Sequence, residues 1–120
     1  MTTQEVATKL VEYCRTGQFE TAYKELYSPK IVSIEEAGSP MERCEGFEAV
    51  MNKSAFFEKT TKEIHSMEVS DPIVAGNSFS MAMKMNRTDV EGNRNQMDEI
   101  CVYQVEDGKI VKEQFFYPMG

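Results

Sequence analysis

The stretch DVEGNRNQMDEICVYQVEDGKIVKEQFFY, from Asp89 to Tyr117, decides the fold. It reads as two long strands joined at Asp107-Gly108, because large apolar residues recur at every second position on both sides of that turn. Met97, Glu99, Cys101, Tyr103 and Val105 share one face of the first strand, and Val111, Glu113, Phe115 and Tyr117 share one face of the second. Each apolar face thus carries a carboxylate. Such a group is costly to bury unless it is paired, protonated or turned toward a cavity, so Glu99 and Glu113 are candidate site residues.

Upstream of this hairpin, Glu91-Gly92-Asn93 marks a turn from a further strand with Phe79, Met81, Met83, Met85 and Arg87 on one face. Ala75-Gly76-Asn77 and Asp71-Pro72 break the chain before it, and Glu63 to Val69 alternates so that His65, Met67 and Val69 fall together. A helix is expected from about Gly46 to Thr61, with Phe47, Val50, Met51 and Ala55 as its apolar side. A loop from Ala37 to Glu45 separates it from a strand, Ile31 to Glu36, in which Ile31, Ser33 and Glu35 share a face. Two amphipathic helices come first. Thr2 and Glu5 form a capping-box pattern ahead of Val6, Leu10, Tyr13 and Cys14. After Gly17, Phe19, Ala22, Tyr23, Leu26 and Tyr27 make a second stripe, ended by Ser28-Pro29.

The order is helix, helix, strand, helix and then four strands in a meander, with no repeats or linkers. It predicts one α+β domain over residues 1–120, three helices packed on the concave face of a strongly curved, mostly antiparallel sheet. The opposite faces of the last strands are apolar too, with Ile100 and Val102 on one and Ile110 and Phe116 on the other. A sheet apolar on both sides needs a second cover, and the expected cover is a second copy in a homodimer.

A net charge of -7 over 120 residues argues against nucleic acid or an anionic membrane as partner, since both demand a basic surface. Cys14, Cys44 and Cys101 are widely spaced and odd in number, as expected of reduced thiols in a cytoplasmic protein. No basic segment followed by an apolar run opens the chain, and no stretch is long enough to span a bilayer. A single histidine and scattered thiols call for no zinc site, and no cofactor is expected.

Three strings carry a family resemblance: Phe19-Glu20-Thr21-Ala22-Tyr23-Lys24-Glu25-Leu26-Tyr27, Gly46-Phe47-Glu48-Ala49-Val50, and Asp107-Gly108-Lys109-Ile110-Val111-Lys112-Glu113-Gln114-Phe115-Phe116-Tyr117. With the element order, they resemble the SnoaL-like branch of the nuclear-transport-factor-two-like superfamily over essentially the whole chain. The resemblance implies a cone-shaped α+β barrel, a homodimer through the outer sheet face, and an apolar pocket between helices and sheet. It leaves the reaction open, because the superfamily holds polyketide cyclases, ketosteroid isomerases, dehydratases, epoxide hydrolases and many proteins of no known activity. Carried over by position, Glu35 falls near the proton-abstracting carboxylate of the isomerases and Tyr13 near their oxyanion-binding tyrosine. Cys101 stands where those enzymes have a neutral carboxylic acid, with Glu99 two residues earlier. Phe115 stands where the cyclases tend to carry an acid.

Two readings of these residues stand side by side. In the first, Glu35, Glu99 and Glu113 converge on an apolar cavity, where burial and mutual repulsion raise their proton affinity toward neutrality. Glu35 then abstracts a proton beside a substrate carbonyl, Tyr13 and protonated Glu99 hold the enolate oxygen, and His65 relays the proton. Met81, Met83 and Met85 provide polarizable walls for an apolar or aromatic ligand, while Tyr27, Tyr117, Arg87, Cys101, Glu113 and Phe115 contact it. In the second, the carboxylates are solvated or paired with Arg87 or Lys84, Arg87 pairs with Glu99 across the hairpin, and His65, the methionines and the tyrosines are core residues. That reading fits a non-catalytic dimeric ligand-binding or stress-related module, or a structural protein whose cone is filled by its own side chains.

Overall fold

The computed structural model describes residues 1–119. Two helices, α1 (Thr3–Arg15) and α2 (Phe19–Leu26), lead into strand β1 (Tyr27–Ile34) and a short β2 (Arg43–Glu45). Helix α3 (Phe47–Thr60) follows, and then β3 (Thr61–Val69), β4 (Ile73–Ala75), β5 (Ser78–Asp89), β6 (Arg94–Glu106) and β7 (Lys109–Phe116). The capping box is present at the start of α1: the Thr2 hydroxyl accepts from the Glu5 backbone N–H, and the Glu5 carboxylate accepts from that of Thr2. Two of the free donors at that end are thereby satisfied, and the buried stripe Val6, Ala7, Leu10, Val11 and Cys14 is pinned against the sheet.

The sheet runs β2-β1-β7-β6-β5-β3, with β4 beside β5. The strands β3, β5, β6 and β7 form the expected antiparallel meander, and β1 joins β7 in parallel. The architecture is three helices on a curved, mostly antiparallel open sheet.

Four local features depart from the sequence-based expectation. Strand β1 begins at Tyr27, before Pro29 rather than after it. Proline is tolerated there because the β1–β7 register breaks between Tyr27 and Val32, so no ladder hydrogen bond is asked of it. Arg43–Glu45, within the expected loop, pairs with Val32 to Ile34 as β2. Ile73–Ala75 pairs with Ser78 to Ser80 around Gly76, too short a run to show a period. Finally, Ile110 points inward and is fully buried, whereas strict alternation puts it outside. The β6–β7 register slips between Gln104 and Val105, so that Val105 faces Ile110; one extra residue in a strand inverts the faces beyond it.

The core occupies one end of the concave face. Leu10, Leu26, Ile31, Phe79, Cys101 and Ile110 are essentially inaccessible there, and Phe79 stacks on Tyr103 with ring centroids 4.8 Å apart. Along β6 the inward row passes from buried Val105, Tyr103 and Cys101 to half-buried Glu99 and Met97. Val50 is the one residue of α3 that is fully buried. Helix α3 therefore roofs a hollow, and the carboxylates face that hollow.

Candidate functional site

The hollow is an open cavity of about 1260 Å³ between the helices and the sheet. Its floor is methionine-rich, formed by Met67, Met83, Met85 and Met97, and its roof is aromatic, with Tyr23, Phe47 and Phe57. Glu35, Lys53, Glu99, Glu113, Arg87 and Tyr117 supply the charged and polar lining. A second hollow of about 550 Å³ lies outside, between α1 and Asp71-Pro72, and touches none of these groups.

Each polar residue is aimed by its strand or helix. Ser33 and Glu113 face one another in the parallel β1–β7 pair. Glu113 is buried, accepting from the Tyr27 hydroxyl on one oxygen and from Ser33 Oγ at 2.7 Å on the other. Glu35 lies just beyond β1. One of its oxygens accepts from Lys53 Nζ at 2.7 Å and the other from the Tyr117 hydroxyl at 2.7 Å. Lys53 Nζ also donates to Ser33 and sits 5.1 Å from the Phe115 ring centroid. One ammonium thus links two carboxylate clusters. Glu99 stands apart: its one hydrogen-bond partner among the described residues is the Cys101 thiol, at 3.7 Å.

These differences separate the acids electrostatically. Glu99 is pushed up to about 7, first by burial and then by the charge of Glu35, while Lys53 only partly opposes the rise. Burial also raises Glu113, against the pull of Tyr27, Ser33 and Lys53. Burial and the Glu35 carboxylate together lift the Tyr117 phenol to about 12, so it remains a donor at neutral pH.

Of the candidates read from sequence, the fold brings Tyr27, Glu35, Met83, Met85, Arg87, Glu99, Glu113, Phe115 and Tyr117 to the cavity. Met81 and Cys101 are buried in the packed core beyond it. Tyr13 and His65 are not there. The Tyr13 hydroxyl donates to Glu25 of α2, and the side chain is not part of the cavity lining. His65 is turned out by a bulge: Ile64 pairs with Arg87 and Ser66 with Asn86, leaving His65 unpaired in the ladder and placing Ile64 in the lining. Its Nδ1 lies 2.8 Å from Glu63 and its Nε2 2.6 Å from the Thr88 hydroxyl. Nor does Arg87 pair with Glu99, since Asn95 stands opposite Arg87 and Met83 opposite Glu99.

Sequence reasoning missed Lys53. The signal was available: Lys53 lies three residues after Val50, on the inward side of α3, and three inward carboxylates require a cation near them. Among the described residues, no three His, Cys, Asp or Glu side chains are grouped to hold a metal ion, and no helix is long and apolar enough to cross a membrane.

The profile of the SnoaL-like domain matches residues 1–117. The chain belongs to the SnoaL-like family. A Mesorhizobium loti structure, provisionally named a SnoaL-like polyketide cyclase, is 33% identical, with 98% of this SnoaL-like chain and 100% of that chain covered at a TM-score of 0.92. An NTF2-like protein from Burkholderia thailandensis (16% identity, 98% and 92% covered, TM-score 0.83) shares the fold. So does a cystatin-like-fold protein of unknown function from Xanthomonas campestris (18%, 99% and 92%, 0.79). No curated protein matches this SnoaL-like sequence significantly.

Proposed function

We propose that this SnoaL-like protein transfers a proton at a carbon beside the carbonyl of a small, largely apolar compound, as an isomerase, cyclase or dehydratase does. Glu99 carries this reading. It is a carboxyl on an apolar cavity wall, free of any charged partner, with its proton affinity raised to about 7, so it both takes and returns a proton near neutrality. Glu35 has both oxygens engaged and serves to hold Lys53. Lys53 spends two of its three N–H donors on Ser33 and Glu35, and the third is available to an enolate oxygen forming above Phe115.

The test is exchange of α-protons into D2O for a panel of apolar enolisable ketones, followed by NMR. Catalysed exchange that rises with pH through about 7 and is lost in Glu99→Gln is the expected result. No catalysed exchange with any ketone, or equal rates in Glu99→Gln, refutes the assignment. A binding-only role is favoured by one observation, the locked Glu35, and predicts saturable ketone binding without exchange.

Self-association through the outer sheet face belongs to the same proposal. Ile100 is 48% and Phe116 43% exposed, and the two are direct cross-strand partners beside Val102. A second copy laid on this patch removes them from water.

A further inference from the structure

Arg87 ends the inward row of β5, two positions beyond Met85. Its guanidinium lies over Phe57, 4.7 Å from the ring centroid. Nη1 donates to the Thr60 carbonyl at 3.2 Å and to the Thr61 hydroxyl at 2.9 Å. Those bonds hold one corner of the group. The Nε–H is buried without an acceptor, and Arg87 enters no ion pair among the described residues. An orphaned donor on a charged group is expensive and rare in native proteins.

Neighbouring acids are committed elsewhere. Glu63 is turned to His65, and one Asp89 oxygen accepts the backbone N–H groups of Glu91 and Asn93. Within the cavity Lys53 answers Glu35, while Glu99 and Glu113 are both shifted toward their neutral forms. The Arg87 charge is left without a counterpart. The free edge of a guanidinium, Nε–H beside Nη2–H, matches the two oxygens of a carboxylate.

We propose that Arg87 seats a ligand carboxylate, so that the cavity takes an apolar acid with its anionic group at Arg87 and its enolisable carbonyl at Glu99. This rests on the proton-transfer reading for the Glu99 end only. Glu99 lies opposite Met83, four residues along β5 from Arg87, which separates the two backbones by about 13 Å. Between them lie Met67, Met83, Met85 and Met97, flexible thioether walls that close on a flat ring system. Because the Nε–H is buried, seating the acid requires the guanidinium to tilt off Phe57.

The experiment titrates the protein with 2-naphthoate and biphenyl-4-carboxylate, and in parallel with their primary amides, by ligand-observed NMR and calorimetry. The acids are expected to bind roughly ten- to a hundredfold more tightly than the amides. Arg87→Gln erases that ratio, and Arg87→Lys, which keeps the charge without the fork, retains only part of it. The exchange assay reads the proton-transfer proposal and the acid-to-amide ratio reads this one, so the two fail separately. Equal binding of acid and amide, a preference that survives Arg87→Gln, or no binding of either acid at millimolar concentration overturns the proposal.

Discussion

Glu99→Gln is expected to make the protein more stable at alkaline pH while leaving it nearly unchanged in acid. The folded state raises this carboxyl from its ordinary value of 4.5 to about 7. The folded protein therefore holds the proton more tightly than the unfolded chain. Between pH 4.5 and 7 the native state binds more protons, so stability falls as pH rises, and the loss is complete above about 7. Its full size is about 3 kcal/mol, since one pH unit corresponds to roughly 1.4 kcal/mol; water entering the open cavity reduces that figure. Glutamine has the same shape and nothing to ionise. Urea unfolding of both proteins from pH 4 to 8.5 is the assay. The difference between them should be near zero at pH 4, grow through the interval from 4.5 to 7, and plateau at about 2–3 kcal/mol in favour of Glu99→Gln. A difference that is flat with pH, or that favours the wild type at pH 8, refutes the argument that the carboxylate is held in an unfavourable place. A stability gain joined to a loss of proton exchange is the signature of a site kept at the expense of the fold.

Other expectations follow from the same geometry. Lys53→Met strands Glu35 and Glu113 without their cation and should cost about 3 kcal/mol at pH 8, with a smaller loss as pH falls, because burial shifts Glu113 toward its neutral form; urea midpoints at pH 8 and pH 5 check it. Tyr27→Phe deprives buried Glu113 of one of its two side-chain donors and should cost about 1–3 kcal/mol in the same assay. Ile100→Lys places a charge on the exposed apolar patch beside Phe116; light scattering should show a dimer for the wild type and a monomer for the variant, and a wild-type monomer refutes the self-association proposal.

The meander and its inward faces were legible because β5 and β6 are long and strictly alternating, so the period of two survives over many residues. The same rule misplaced Ile110 and His65, each beyond or at a bulge that adds a residue without leaving a mark in composition. Tyr27 was assigned to α2 because it continues a helical stripe, yet its backbone pairs with Ile110, and tertiary pairing overrides local propensity. Tyr13 sits on the amphipathic α1, but at the edge of the buried stripe, where it meets Glu25 and not the hollow. Lys53 was invisible to a search for apolar periodicity, though not to a count of charges. Glu99 and Glu113 stood out as candidates because a carboxylate inside an apolar alternation is a local inconsistency, and the fold turns both toward the cavity.

The parallel seam between β1 and β7 also governs how the protein comes into being. Ser33 meets Glu113 across 80 residues of chain, and Tyr27 meets it across 86. A ribosome therefore exposes β1, with its inward Ile31 and Ser33, long before the strand that covers it has been made. Pairings of such sequence separation form slowly, after local elements have condensed. The polar cluster is thus among the last parts of the molecule to assemble, and the interval before β7 arrives is when this chain most needs protection from its neighbours.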